Sequence, residues 1–292
     1  MQPFDYIKPQ TLEEASSMLL EYNGAARPFA GMTDLLIRIE RGFVHPQVVL
    51  DVKDLPGMND LLVVRNGDLR IGAAVTMNEV ALNPTVLSGW PLLAEGCASV
   101  ASYQLRNRAT VGGNLCNGSP AADSAPALLC YGASAHIFGP DGQRTLPLEQ
   151  FFLGPGKTAL QRGELLTAVT VPFVRGSAGH FLKLGRTTMG DISLMNVAVL
   201  GWPDSDSPSG TSWRISLGSV APTVIRAPEA ERLLSLDTSP AGLEAASQAA
   251  AAAARPIDDI RATAAYRTDM VRVLTRRGVE RVLSEIGKQV DK

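Results

Sequence analysis

The stretch Ala109–Ala133, ATVGGNLCNGSPAADSAPALLCYGA, constrains the fold more than any other part of the chain. Thr110-Val111 reads as a short strand-like run. Gly112-Gly113 then frees the backbone from Cβ clashes, so the chain can turn sharply and approach a ligand closely. A second small-residue patch follows at Asn117-Gly118-Ser119-Pro120. Ser119 and Pro120 have the chemistry of an N-cap and a first helical position, and Gly132 is placed to end the helix over Ala121–Tyr131. Glycines beside a helix N-terminus offer N–H groups suited to a phosphate or pyrophosphate.

Pro28–Leu36, PFAGMTDLL, is built the same way. Pro28-Phe29-Ala30 is short and apolar, Gly31 breaks it, Thr33 and Asp34 are N-cap types, and Leu35-Leu36-Ile37 resumes an apolar face. Two such loops could hold one long dinucleotide between them. Neither fits the glycine fingerprint of a Rossmann unit or the phosphate loop of the NTPases.

The pair resembles the two FAD-binding motifs of the flavin (medium) subunits of molybdenum hydroxylases, the xanthine dehydrogenase, aldehyde oxidoreductase and carbon monoxide dehydrogenase family. Those motifs read roughly AGGTDL and TxGGNxxxxxPxxDxxP. The chain has Ala30-Gly31-Met32-Thr33-Asp34-Leu35, then Thr110-Val111-Gly112-Gly113-Asn114 with Pro120, Asp123 and Pro126. The likeness runs from Phe4 to about Arg277 and includes the bacterial xanthine dehydrogenase FAD-binding subunits. Met32 departs from the motif, which usually has Gly there. If the position needs a positive φ, methionine is strained in it.

The resemblance implies an α+β chain. Residues 1–176 would form a two-lobed FAD-binding domain of the vanillyl-alcohol-oxidase (PCMH) type, with lobes at about 1–54 and 55–176. Residues 177–292 would form a smaller domain of antiparallel sheet and helices, of the CO dehydrogenase flavoprotein C-terminal type. Carried over position by position, it implies FAD contacts from Pro28, Phe29, Ala30, Gly31, Met32, Thr33, Asp34 and Leu35. A second set comprises Val100, Ala101, Thr110, Gly112, Gly113, Asn114 and Cys116. Asp123 matches a family aspartate on ribityl or ribose hydroxyls. Leu166 matches an apolar contact near the ring, and Lys183 a cationic one. Gly185–Ile192 corresponds to a loop near the flavin.

The implied function is electron transfer through FAD inside a heterotrimer. A molybdopterin-containing large subunit hydroxylates the substrate, and a small subunit with two [2Fe–2S] clusters relays electrons. The flavin subunit delivers them to NAD⁺ or another acceptor. A stand-alone FAD oxidoreductase and a nucleotide-holding assembly subunit are the alternatives. The residues agree with the division of labour. The chain has three cysteines, Cys97, Cys116 and Cys130, too few for a cluster's four thiolates and without a C-x-x-C pair. His45, His136 and His180 are scattered, with no metal spacing.

A net charge of −2 argues against nucleic acid as a partner. No apolar run approaches a membrane span. The odd cysteine count and the absence of a signal-peptide pattern point to the cytoplasm.

Secondary structure can be read along the rest of the chain. Thr11 with Glu14 is a capping box opening a helix. Val48–Val52 is nearly all apolar, as a parallel strand buried on both faces requires. The first 54 residues thus read β-α-β-α-β. Leu61–Val64, Leu69–Ala73, Ala135–Phe138 and Leu165–Pro172 are further strands, with turns at Asn66-Gly67 and Asp141-Gly142. After Arg175–Gly179 come strands at Phe181–Leu184, Asn196–Val199 and Trp213–Val220. Helices are predicted at Ala245–Ala254, Ile257–Ile260 and Tyr266–Leu283.

Overall fold

The computed structural model describes residues 2–187 and 190–290. It divides into two compact units that take turns along the chain. The first comprises 1–80, 103–118 and 133–172, and the second 81–102, 119–132 and 173–292.

The first unit opens with the expected β-α-β-α-β order. Strands Asp5–Ile7, Val48–Asp51 and Ala26–Phe29 form a parallel sheet with Val48–Asp51 in the middle. All four residues of that central strand are buried, Asp51 included, which explains the apolar run Val48–Leu50. Thr11 caps helix Leu12–Glu21, its Oγ1 accepting from the Glu14 N–H at 3.1 Å. Phe29, Ile39 and Val49 make a small core, joined by Phe4, Met32 and Leu35.

A five-stranded antiparallel sheet completes this unit, in the order Leu61–Val63, Leu69–Gly72, Leu165–Val171, Ser134–Gly139, Gly142–Pro147. Its hairpins turn at Gly67 and Gly142, both with positive φ.

The second unit is built on an antiparallel sheet of Ala178–Leu184, Met195–Pro203, Thr211–Gly218 and Ile225–Arg226. Side chains alternate across a strand, and each face takes its own helices. Val197, Val199, Ile215 and Leu217 pack with Val271, Val279 and Val282 of helix Ala264–Val290 and with Ala246 and Ala250 of helix Pro240–Ala253. The other face meets helix Ser124–Tyr131, where the Cys130 thiol lies 3.4 Å from the Ala198 carbonyl and 3.3 Å from the Ser216 hydroxyl. All eight residues of that helix are buried. Helix Pro91–Ala98 packs in the same unit, Gly179 lying close against Leu92.

Outside the glycine loops, two elements differ from the sequence reading. Ile257–Ile260 is not helical, because the Asp259 carboxylate accepts from the Arg261 and Ala262 N–H groups and folds the segment into a turn. The helix expected from Ala121 begins at Ser124. Ser119 Oγ does accept from the Ala121 N–H at 3.1 Å, but that bond closes a turn and starts no helix. Pro126 falls in the first helical turn, where its missing N–H costs no hydrogen bond, and Gly132 ends the helix at φ 70°.

Candidate functional site

The first loop leaves strand Ala26–Phe29 and enters helix Leu35–Glu40. Gly31 is fixed there by space, because a Cβ on it would overlap the Arg108 carbonyl oxygen and lie 2.9 Å from its carbon. Met32 has φ 61°, so the departure from the family motif stands at a left-handed residue. The Asp34 carboxylate accepts from Asn117 Nδ2 at 3.3 Å, a second tie to the other loop. The N–H groups of Gly31, Met32, Thr33, Asp34 and Leu35 donate to no acceptor among the described residues. Five successive unspent donors make a ready concavity for an anion.

The second loop differs from its reading as an open glycine turn. Val111–Cys116 is a short helix, capped by Thr110, whose buried Oγ1 accepts from the Gly113 N–H at 3.0 Å. The N–H groups of Val111, Gly112 and Asn114 bond to the carbonyls of Val75, Ala73 and Thr110. This loop therefore has no free N–H row. Its glycines serve as clearances. A Cβ on Gly112 would lie 2.5 Å from the Ala73 Cβ, so this residue lets the helix lie on the sheet. A Cβ on Gly113 would meet only Thr110 Oγ1, at 2.9 Å, and otherwise open space.

Cys116 is exposed at the end of this helix. Leu166 is buried in the central strand Leu165–Val171 of the antiparallel sheet. The first unit thus brings the 28–35 passage against the 108–117 passage.

In the second unit Asp123 and Lys183 meet. Lys183 Nζ donates to Asp123 Oδ2 at 2.6 Å and to the Ser99 carbonyl at 3.0 Å. Ser99 precedes Val100 and Ala101, the latter at φ 44°. Sheet register supplies the neighbours of this pair. Lys183, Asn196 and Gly218 lie opposite one another across three strands. Asn196 Nδ2 donates to Asp123 Oδ1 at 2.9 Å, and Ser193 Oγ donates to the same oxygen at 2.5 Å. Burial pushes the Asp123 carboxyl up, opposed by the Lys183 ammonium and by the Ser193 and Asn196 donors.

Ser193 and Asn196 had no motif to mark them. The one signal was an asparagine in the otherwise apolar run Met195–Leu200. Arg108, which meets Gly31, was equally silent, and Asn117 was marked only as part of a small-residue patch.

In the Gly185–Ile192 segment Arg186 and Asp191 form a salt bridge that holds the aspartate well below the usual carboxylate range. Ile192 is exposed. Thr188 and Met189 of that loop lie outside the described residues.

The donor set fits FAD. The N–H row of Gly31–Leu35 suits a pyrophosphate, and the open space above Gly113 admits a flat or extended group. Among the described residues no cluster of His, Cys, Asp or Glu could hold a metal ion, and no helix is long and apolar enough to cross a membrane.

Comparison with known proteins agrees with the geometry. Residues 2–174 match the FAD binding domain in molybdopterin dehydrogenase, and residues 180–282 match the CO dehydrogenase flavoprotein C-terminal domain. The xanthine dehydrogenase FAD-binding subunit of Escherichia coli is 32% identical over 291 residues, covering 97% of each chain. The carbon monoxide dehydrogenase medium chain of Hydrogenophaga pseudoflava is 32% identical over 278 residues, covering 94% of this chain and 96% of that one. A solved structure of carbon monoxide dehydrogenase from H. pseudoflava superposes with a TM-score of 0.91 at 31% identity, covering 98% of this chain and 99% of that one. Fold, domain order and cofactor class agree, and the chain belongs to the FAD-binding medium subunits of the molybdenum hydroxylase family.

Proposed function

We propose that the chain is the electron-transferring FAD subunit of a xanthine dehydrogenase-like molybdenum hydroxylase in the cytoplasm. It takes electrons from a partner with two [2Fe–2S] clusters and delivers them to NAD⁺ or another acceptor. A molybdopterin-containing large subunit carries out the hydroxylation. Residues 1–176 are the cofactor-holding domain in this reading, and residues 177–292 are the C-terminal domain. The observation that carries it is the row of five unspent N–H groups at Gly31–Leu35.

Bound FAD supplies the redox chemistry, accepting and releasing electrons singly or in pairs. The chain's residues bind and orient it. The Gly31–Leu35 N–H groups and the Thr33 hydroxyl hold the pyrophosphate, with Pro28, Phe29 and Ala30 setting the loop's exit. Thr110 and Gly112 hold the second helix in place, so that Gly113, Asn114 and Cys116 face the cofactor. Val100, Ala101 and Leu166 give backbone and apolar contacts, and Lys183 gives a cationic one. Asp123 fixes that lysine.

Two measurements test this reading. Denaturing and filtering the yellow protein should release FAD into the filtrate, and flavin retained on the polypeptide would contradict it. Affinity purification from the native host should bring molybdenum and iron with the chain in stoichiometric amounts. A metal-free protein that oxidises its own substrate at full rate would overturn the subunit assignment.

A further inference from the structure

Asp123 occupies the N-cap position of helix Ser124–Tyr131, yet its side chain makes no capping bond. Three donors from distant chain segments draw it away: Lys183 Nζ, Ser193 Oγ and Asn196 Nδ2. Ser193 and Asn196 are wholly buried, and Asn196 Oδ1 has no hydrogen-bond partner among the described residues. Gly218 makes the room, since a Cβ there would overlap Asn196 Oδ1 and lie 2.9 Å from its Cγ. Burying this much polarity gives stability little advantage over a well-packed apolar cluster, whereas it fixes the carboxylate in one orientation.

What the carboxylate holds is the ammonium. Lys183 spends one N–H on the Ser99 carbonyl and one on Asp123. An ammonium has three donors, and the third has no acceptor among the described residues. A flexible four-carbon stem would otherwise leave that charge free to wander.

We propose that Ser193 and Asn196 are positioning residues that act through Asp123, holding Lys183 so that its third N–H is open to a polar group of the bound FAD. The inference rests on the reading of Lys183 as a cofactor contact.

The full chain, stripped of flavin, is titrated with FAD, and the apoprotein's thermal melting is recorded alongside. Lys183→Gln should weaken FAD binding about tenfold or more, as for loss of a hydrogen bond from a charged group. Ser193→Ala should weaken it about fivefold, and Ser193→Thr, which keeps the hydroxyl, should bind like the parent. In the Lys183→Gln background Ser193→Ala should cause no further loss, because the lysine through which it acts is gone.

Asn196→Ala gives the same comparison if Ser193→Ala melts below the assay temperature. Unchanged affinity in Lys183→Gln would remove the lysine contact and the inference with it. A weakened Lys183→Gln together with a Ser193→Ala effect that is absent, or of equal size in both backgrounds, would overturn the positioning role alone.

Discussion

Gly31 and Arg108 approach so closely that the Arg108 carbonyl occupies the place of a Cβ on Gly31. The contact is backbone to backbone, so no side chain can swing aside to relieve it. Gly31→Ala should force the two loops apart and cost about 1–3 kcal/mol, as overpacking does. Urea unfolding of the apoprotein measures the cost. A variant as stable as the parent would mean that the loops are not locked together here.

Gly112 and Gly113 are adjacent and should fail in different ways. Gly112→Ala drives a methyl into Ala73, and the melting temperature should fall. Gly113→Val has only the Thr110 hydroxyl to disturb, so stability should drop by about 1 kcal/mol, the scale of a lost cap. Its FAD binding should nonetheless be abolished, because the side chain fills the open space. Calorimetry and FAD titration on the same samples separate the two effects. Parent-like FAD affinity in Gly113→Val would make that glycine a plain element of the turn.

Met32 stands in the left-handed region at φ 61°. A β-branched residue is worse there, so Met32→Ile should lose about 1–2 kcal/mol. Met32→Gly gives up some packing against the Phe29, Ile39 and Val49 core but relieves the strain, and should be the more stable of the two. Denaturant midpoints give the ranking directly, and the reverse order would show that packing of the side chain outweighs its backbone strain.

His180 lies between two carboxylates, with Nε2 2.8 Å from Glu285 and Nδ1 3.4 Å from Glu95. The Glu95 hydrogen bond, aided by Glu285, raises its pKa above the ordinary 6.5. A raised folded-state pKa contributes stability that is fully present below the unfolded value and lost as pH rises through the folded one. His180→Gln should therefore destabilise the chain most below about pH 6.5. The gap should narrow as pH climbs above that value. Melting curves of both proteins across that range check it, and a gap that is constant or widens with pH would refute the assignment.

Much of the first 54 residues was legible because local signals and tertiary structure agree there. The Thr11 cap, the Asn23-Gly24 stop and the apolar run Val48–Leu50 each report what the fold does with them. The glycine pair was legible as a place but not as a conformation. Two glycines read locally as a turn, whereas the Thr110 cap and the clearance against Ala73, far away in sequence, go with a helix. Asp123 was singled out in the sequence through its motif. Its partners lie 60, 70 and 73 residues further on, and only sheet register places them around it. No periodicity within a single element encodes that meeting.

The alternation of the two units along the chain also sets an order of events at the ribosome. Helices Pro91–Ala98 and Ser124–Tyr131 are made well before strands Ala178–Leu184, Met195–Pro203 and Thr211–Gly218, with which they share a unit. At about 5–20 residues per second, Ser124–Tyr131 waits roughly 5–20 s for its sheet to emerge. Throughout that interval its apolar surface is bare and open to chaperones or to other nascent chains. A message broken near codon 172 would release a fragment with the sheet-facing sides of both helices permanently uncovered, a substrate for proteolysis in place of half a working subunit.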